Sequence, residues 1–187
     1  MKKEGHASAT TKAKEPRQGL FFIIFTAKIY PMSIQVGQQA PDFILYDTDK
    51  KPVMLSAQRG KNVVLLFFPL AFTSTCTQEL CGVRDEIAHF NAADAQVFGI
   101  SVDAPPSLAR FKQEQGLNFP LLSDFNKEAS AAWDSLYDIF NGWMLGVSKR
   151  SAFVIDKQGI VRYAEILENV GDLPNFDAIS ATLTSLK

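Results

Sequence analysis

The sequence predicts an α/β domain built on a mixed β-sheet flanked by helices. Apolar runs of strand length alternate with segments whose apolar residues recur every three or four positions, which is typical of strands followed by helices. Near the end of the chain two apolar strands are joined directly by a turn, which adds an antiparallel pair to the sheet. With 187 residues, 47% of them hydrophobic, the chain can build one core but not two comfortable domains.

The first half of the chain contains a hairpin, a central strand and a helix. Apolar stretches at 43–46 and 53–55 flank a polar turn, which predicts an N-terminal β-hairpin. Six consecutive apolar residues at 63–68 predict a strand buried on both faces. From 76 to 90 the apolar residues fall at helical spacing after three residues that can cap a helix, so we expect one continuous helix there.

The second half continues the alternation and ends in an antiparallel pair. The further predicted elements are a strand at 96–103, a helix at 105–115 closed by Gly116, a strand at 119–124, a helix at 126–136, two strands joined by a turn at 157–159, and a helix at 175–187. This order resembles a thioredoxin fold with an N-terminal hairpin and one inserted strand–helix unit. A fold of this kind does not by itself specify a function.

The N-terminal 31 residues are set apart from this domain. Residues 1–19 are polar and basic, and we expect them to be disordered or loosely attached. The apolar run at 20–27 is too short to span a bilayer, which needs about 20 apolar residues. A basic segment before a short apolar run is also found in secretory signal peptides, but the candidate cleavage site is poor. We favour an optional extension over 1–31 and one folded domain over 32–187.

Charge and cysteine content exclude several classes of function. The chain carries 19 basic and 20 acidic residues, which gives no reason to expect a nucleic acid or a membrane as partner. The only cysteines are Cys76 and Cys81, and the only histidines are the distant His6 and His89. This set does not suit a four-ligand zinc site, so we expect neither a metal nor a cofactor. Two closely spaced cysteines indicate a reducing compartment, hence a cytoplasmic protein, with export as the alternative.

Cys76 is the strongest chemical signal in the sequence. It follows a predicted buried strand and lies in the first turn of the next helix, where unpaired backbone N–H groups and the helix dipole favour a thiolate. A buried cysteine can also be an inert small apolar residue. The strand–loop–helix context favours the reactive thiol.

The residues around this cysteine carry a family resemblance. Pro69, Thr73, Cys76 and Glu79 have the spacing P-x-x-x-T-x-x-C-x-x-E. This motif resembles the active-site loop of the peroxiredoxin superfamily, the alkyl hydroperoxide reductase and thiol-specific antioxidant group, and the resemblance extends over about 39–179. It implies that Cys76 reduces hydroperoxides through a sulfenic acid, that Pro69 shields the thiolate and that Thr73 binds the peroxide. It also implies a thiol reductant (thioredoxin, glutaredoxin or a small thiol) and a homodimer.

The same resemblance assigns an arginine to the site. Arg150, directly before the strand "SAFVID", matches it, although most arginines in such basic pairs are simply exposed. A permanent cation suits the thiolate and the charge that develops on the peroxide. Glu79 is either the carboxylate that orients this guanidinium or a plain surface residue. Arg84, two helical turns beyond Cys76, is a candidate for support from further away.

The role of Cys81 has two interpretations. The C-x-x-x-x-C spacing resembles the bacterioferritin comigratory protein (Q-type) branch, in which the second cysteine resolves the first. In an intact helix two such residues lie about 8–9 Å apart, beyond the reach of a disulfide at about 7 Å, so the first turn must unwind. The C-terminal segment and the loop instead resemble the one-cysteine AhpE-like branch, which uses an external thiol. We favour a resolving Cys81.

Several aromatic residues are better explained by structure. Trp133, Tyr137 and Phe140 fall at helical spacings of four and three, which predicts a core or a dimer face instead of a ligand site. Trp143 and Met144 are expected in a loop that lines the peroxide entrance. His89 is expected on the surface, since a thiolate that is already ionised needs no histidine.

Two competing functions have less support. A thioredoxin-type thiol–disulfide oxidoreductase would carry C-x-x-C, whereas Glu79 stands three residues after Cys76. A non-catalytic thioredoxin-fold interaction module would have no reason to combine Thr73, Cys76 and Arg150. The thiol peroxidase is therefore the preferred interpretation.

Overall fold

The structure is a computed structural model that describes residues 34–186. The expected extension at 1–31 lies outside the described residues. The main sheet contains seven strands in the order β2-β1-β5-β4-β3-β8-β9, and a two-stranded sheet is formed by β6 and β7. The strands are β1 Ile44–Asp47, β2 Pro52–Met54, β3 Asn62–Phe67, β4 Ala95–Ser101, β5 Leu121–Ser123, β6 Leu136–Phe140, β7 Met144–Ser148, β8 Ser151–Ile155 and β9 Val161–Ile166.

The strand directions confirm the predicted mixed sheet. β3 pairs with β4 in parallel and with β8 antiparallel, and β5 continues the parallel set. The predicted N-terminal hairpin is β1–β2, with β1 antiparallel to β5. All six residues of β3 are buried, as a strand covered on both faces requires. The carboxyl ends of β3, β4 and β5 therefore meet at one edge, where ligand sites of open α/β sheets form.

Five helices flank the sheet within the described part of the chain: α1 Ser74–Asp85, α2 Ile87–Ala92, α3 Pro105–Gln115, α4 Glu128–Ala132 and α5 Phe176–Ser185. The prediction for α3 is confirmed, and Gly116 ends it in the left-handed conformation with φ 60°. The single helix expected at 76–90 is wrong. The backbone of Glu86 leaves helical geometry at φ −99° and ψ 10°, which divides the segment into α1 and α2.

Apolar side chains fill both faces of the sheet. On one face, buried residues of α1, α3 and α5 pack against the central strands. On the other face, Trp133 packs against Phe67 and Phe153, with ring centroids 6.2 and 4.8 Å away. Trp133 is fully buried, which confirms its expected place in the core.

The helix expected at 126–136 is mostly wrong. Only α4 is helical; Asp134 then takes a positive φ of 53°, and the chain continues as β6, which pairs with β7. Tyr137 and Phe140 therefore lie on a strand instead of a helix. Asn141 and Gly142 form the connecting turn with φ of 51° and 79°. An Asn-Gly pair is a strong hairpin signal, and it outweighs the helical spacing of the aromatic residues.

In the described part of the chain, every helix is too short or too polar to cross a membrane. The core of the sheet is β3 with its neighbours β4 and β8. The loop after β3 leads into α1, and the residue before β8 faces that loop, so these strands position the candidate site.

Candidate active site

Cys76 lies in the first turn of α1, at the carboxyl edge of the sheet. The connection from β3 to α1, residues 68–73, is referred to below as the active-site loop. Thr73 is the N-cap residue of α1, with extended backbone, and its carbonyl accepts a hydrogen bond from Thr77 at 2.9 Å. The side chain of Cys76 is directed inward, and the residue is only 1% exposed. Its sulfur is thus close to the N–H groups at the positive end of the helix.

Arg150 meets this sulfur from the neighbouring strand. Because Ser151 is paired with Phe67 in the β3–β8 ladder, Arg150 stands beside the start of the active-site loop. Its Nη2 donates to the Cys76 sulfur at 3.3 Å and to the Val170 carbonyl at 3.2 Å. Its Nη1 donates to Oε2 of Glu79 in a close ion pair. A cation, a thiol and a carboxylate therefore form one buried cluster.

Burial shapes the electrostatics of this cluster. The side chains of Arg150 and Glu79 are 1% and 0% exposed. Burial raises the pKa of Glu79 from 4.5 to about 7, although the charge of Arg150 and the hydrogen bond to it act in the opposite direction. For Arg150, burial acts against the charged form, but Glu79 and Cys76 outweigh it and the pKa rises. The guanidinium stays charged while the carboxyl titrates close to neutral pH.

A cleft of about 220 Å³ leads to the sulfur. Its lining residues are Pro69, Leu70, Thr73, Thr75, Cys76, Phe140, Asn141, Arg150, Val170 and Gly171. Pro69 is buried, whereas Thr73 is exposed at the mouth, and the Thr73 hydroxyl donates to the Leu70 carbonyl at 2.9 Å. The structure thus brings four residues of the sequence prediction, Pro69, Thr73, Cys76 and Arg150, to one small cleft, with Glu79 behind it.

The β6–β7 hairpin forms one wall of the cleft, but with other residues than the sequence analysis expects. Phe140 and Asn141 line the cleft, whereas Trp143 is 75% exposed and Met144 begins β7. The expectation that Trp143 and Met144 line the entrance is therefore wrong. The expectation fails because this segment folds as a hairpin instead of a helix followed by a loop. In the hairpin it is Phe140, at the end of β6, that lines the cleft. The Asn-Gly pair at the turn is the signal that could have located it.

Cys81 lies five residues further along the same intact helix, in different surroundings. It is half-buried, and its sulfur is 3.6 Å from both Nη1 of Arg84 and Oε1 of Gln115. Arg84 Nη1 also donates to the Gln115 carbonyl at 2.6 Å, at the end of α3. The expectation that Arg84 supports Cys76 is wrong, because its contacts are with Cys81, Asp85 and α3.

His89 is exposed on α2, as expected of a surface residue. It lines a larger cavity of about 560 Å³ between α1, α2 and α5. Neither cysteine lines that cavity. The site with nucleophilic chemistry is therefore the smaller cleft at Cys76.

Comparison with known proteins identifies the family of this chain. Residues 36–164 match the model of the AhpC/TSA family. The chain belongs to this family. It is 42% identical over 134 residues to alkyl hydroperoxide reductase E of Mycobacterium tuberculosis, which covers 71% of this chain and 86% of the relative. It is 36% identical over 161 residues to the chloroplastic peroxiredoxin Q of rice, Oryza sativa, covering 86% and 72%.

Solved structures agree with the family and the fold. The crystal structure of peroxidoxin BcpB from Mycobacterium tuberculosis is 32% identical, with a TM-score of 0.73, and covers 82% of this chain and 99% of that one. Peroxiredoxin Q of Xanthomonas campestris is 28% identical, with a TM-score of 0.67, covering 76% and 90%. The predicted thioredoxin-like fold is confirmed. This peroxiredoxin is a thiol-dependent peroxidase that reduces hydroperoxides.

Proposed function

We propose that Cys76 is the peroxidatic thiol of this peroxidase and that Arg150 holds it as a thiolate. The contact that supports the proposal is the one from Arg150 Nη2 to the sulfur, at 3.3 Å, by a guanidinium that is almost fully buried. Away from water such a pair is far stronger than on the surface. The position at the N-terminus of α1 acts in the same direction.

The reaction follows from this arrangement. The Cys76 sulfur attacks the terminal oxygen of the hydroperoxide, an S–O bond forms and the O–O bond breaks. The sulfur loses two electrons and becomes a sulfenic acid, while the leaving alkoxide or hydroxide takes up a proton as alcohol or water. Negative charge spreads along S, O and O in the transition state, and Arg150 faces that charge across the cleft.

Thr73 and Pro69 shape the position in which the peroxide binds. The Thr73 hydroxyl donates to the Leu70 carbonyl, so its oxygen remains available to accept a hydrogen bond from the O–H of the peroxide. The buried Pro69 covers one side of the sulfur and offers no N–H that would compete for it. The substrate is thereby aligned for in-line attack.

Glu79 orients Arg150 from behind. Its Oε2 accepts from Nη1, which leaves Nη2 to face the sulfur. A guanidinium that is fixed on one side by a carboxylate presents its remaining donors in a defined direction. Glu79 therefore acts through Arg150 and makes no contact with the peroxide.

The sulfenic acid is then resolved by a thiol. Condensation of Cys76–SOH with an S–H group forms a disulfide and releases water, and a thiol reductant (thioredoxin, glutaredoxin or a small thiol) restores Cys76. We favour Cys81 as the resolving thiol. Because α1 is continuous from Ser74 to Asp85, its first turns must unwind before the two sulfurs can bond. An external thiol is the alternative route.

The remaining parts of the proposal concern assembly and location. The likeness to peroxiredoxins supports a homodimer with a hydroperoxide as the substrate. Two free thiols suit a reducing compartment such as the cytoplasm. The catalytic domain extends over 32–187, and residues 1–31 are an extension that the reaction does not require.

Consumption of hydrogen peroxide with dithiothreitol as reductant tests the central claim. The Cys76→Ser variant is expected to lose all enzymatic consumption, whereas the matched Cys81→Ser variant retains the first oxidation. Equal rates for wild type and Cys76→Ser would refute the role of Cys76. Reduction of insulin disulfides at a rate comparable to peroxide reduction would instead support the thiol–disulfide oxidoreductase.

A further inference from the structure

We infer that Asp103 is a positioning residue for peroxide reduction, because its carboxylate fixes the active-site loop from outside the cleft. The inference rests on the proposal that Cys76 is the peroxidatic thiol. Asp103 follows the carboxyl end of β4 and lies just before α3. It is not among the residues that line the cleft, so it acts on the reaction only through the loop.

The active-site loop needs external support. Phe72 has a φ of 65°, a conformation that is rare and costly for a bulky side chain. Phe72 is 52% exposed, and its ring touches Phe111 of α3 edge-on, with centroids 5.0 Å apart. Strained backbone of this kind persists only where neighbouring contacts hold it in place.

Asp103 supplies the hydrogen bond that anchors this strained segment. Its Oδ2 accepts from the backbone N–H of Ala71 at 2.8 Å, directly before Phe72. The same oxygen accepts from the Ser101 hydroxyl at 2.6 Å. A backbone N–H bonded to a carboxylate makes one of the stronger hydrogen bonds in proteins. The loop is thereby bound to the end of β4, 32 positions away in the sequence.

Asp103 is itself held rigidly by two strands. Its backbone N–H donates to the Ser101 hydroxyl at 3.1 Å, and its carbonyl accepts from the Ser123 hydroxyl at 2.6 Å. Ser101 ends β4 and Ser123 ends β5, and both are buried. The carboxylate therefore transmits the fixed position of the sheet edge to Ala71.

The consequence for the reaction is specific. Ala71 lies between Leu70, whose carbonyl receives the Thr73 hydroxyl, and Thr73 itself. Releasing Ala71 lets this part of the cleft wall shift, which misaligns the peroxide, but it leaves the Arg150–Cys76 contact in place. Loss of Asp103 should thus slow peroxide reduction without lowering the intrinsic reactivity of the thiolate.

Two rates separate these effects. Stopped-flow fluorescence or competition kinetics gives the rate constant for hydrogen peroxide, and alkylation of Cys76 by iodoacetamide in a Cys81→Ser background reports thiolate reactivity. Asp103→Ala should reduce peroxide about 10- to 100-fold more slowly, since misplacements near 1 Å cost up to about 10²-fold. Asp103→Asn keeps an acceptor for Ala71 and should stay within about threefold of wild type, because a neutral hydrogen bond retains roughly half the strength.

The controls make the outcomes decisive. Asp49→Ala removes an exposed carboxylate on the distant β1–β2 turn and should change neither rate. Ser101→Ala removes the hydroxyl that donates to the Asp103 carboxylate and accepts from the Asp103 N–H, so it loosens Asp103 and should slow peroxide reduction in the same direction as Asp103→Ala, but by less. It decides the matter should Asp103→Ala fail to fold. A peroxide rate equal to wild type in Asp103→Ala, or in Ser101→Ala if that variant must substitute, overturns the inference. A parallel fall in alkylation also overturns it, whereas activity that survives Cys76→Ser refutes the underlying proposal instead.

Discussion

The two cysteines of α1 lie on one helix, each within reach of an arginine, yet their surroundings differ. Cys76 is 1% exposed and faces Arg150, whose side chain is also 1% exposed. Cys81 is half-buried and faces Arg84, whose side chain is 31% exposed. The sulfur–guanidinium distances are similar, at 3.3 and 3.6 Å.

On the proposal that Cys76 is the peroxidatic thiol, the difference means that proximity of a cation does not by itself make a cysteine the first nucleophile. Arg84 also pairs with Asp85 at 2.8 Å and with the Gln115 carbonyl at 2.6 Å, and it is open to water, which weakens its field at Cys81. Arg150 is shielded from water and held by Glu79. The N-terminus of α1 adds its own positive potential at Cys76. We expect burial and helix position, more than distance, to distinguish the two thiols.

The largest difference between the two cysteine sites is expected when the arginine at each site is removed. Arg150→Met should lower the rate constant for hydrogen peroxide about 10²- to 10³-fold, the usual cost of losing a preorganised charge donor. The matched variant Arg84→Met should leave that first step within about twofold of wild type, since exposed charge contacts contribute little. Stopped-flow fluorescence with excess peroxide measures both rates.

Protein stability is the control for this pair. Arg150→Met leaves Glu79 buried without its cation, so circular dichroism must show a folded protein before the rates are compared. Similar losses in the two variants would mean that burial does not distinguish the two sites. An unchanged rate in Arg150→Met would exclude Arg150 from the reaction.

The buried carboxyl beside Cys76 gives the next largest effect, and this effect depends on pH. Because the pKa of Glu79 is about 7 in the folded protein and 4.5 in the unfolded chain, the folded state binds more protons between these values. Its contribution to the free energy of unfolding therefore falls as pH rises from about 4.5 to about 7, by at most about 1.4 kcal/mol per pH unit. Glu79→Gln should lose this slope, because glutamine does not titrate.

Urea unfolding of the reduced protein at pH 5, 6, 7 and 8 measures the slope. The control is Glu86→Gln, which alters an exposed carboxyl at the end of the same helix and should keep the wild-type dependence. The decisive quantity is the difference in free energy between wild type and Glu79→Gln. A difference that stays constant from pH 5 to 8 would contradict the raised pKa.

How far the sequence can predict this molecule depends on whether the signal is local. β3 and α3 are predictable because six apolar residues in a row, and prolines before a periodic stretch closed by Gly116, are local patterns. β6 escapes prediction because Trp133, Tyr137 and Phe140 have the spacing of a helix, although Tyr137 and Phe140 lie on a strand. Only the turn residues distinguish the two, and they carry more weight than the spacing.

The site divides in the same way. The residues of one short motif, from Pro69 to Glu79, are identified together, since they are close in the sequence. Arg150 lies 74 positions from Cys76 and is identified only through the family resemblance. The Asp103–Ala71 contact gives no signal at all, because a hydrogen bond between two loops has no period. The contact of Arg84 with α3 cannot be predicted from the sequence for the same reason. Helical spacing alone wrongly suggests that Arg84 supports Cys76.

The smallest expected effect sharpens the comparison at the Cys81 end of the helix. Arg84 joins α1 to the end of α3 through the Gln115 carbonyl, so it opposes the unwinding that a Cys76–Cys81 disulfide requires. Arg84→Ala should speed disulfide formation after one equivalent of peroxide about fivefold, as expected from about 1 kcal/mol for one hydrogen bond. Quenched-flow mass spectrometry follows the loss of two hydrogens, with Arg110→Ala, which removes an exposed arginine of α3, as the control. Slower formation in Arg84→Ala would show that Arg84 activates Cys81 more than it restrains the helix, and a sulfenic acid that persists in the wild type would exclude Cys81 as the resolving thiol.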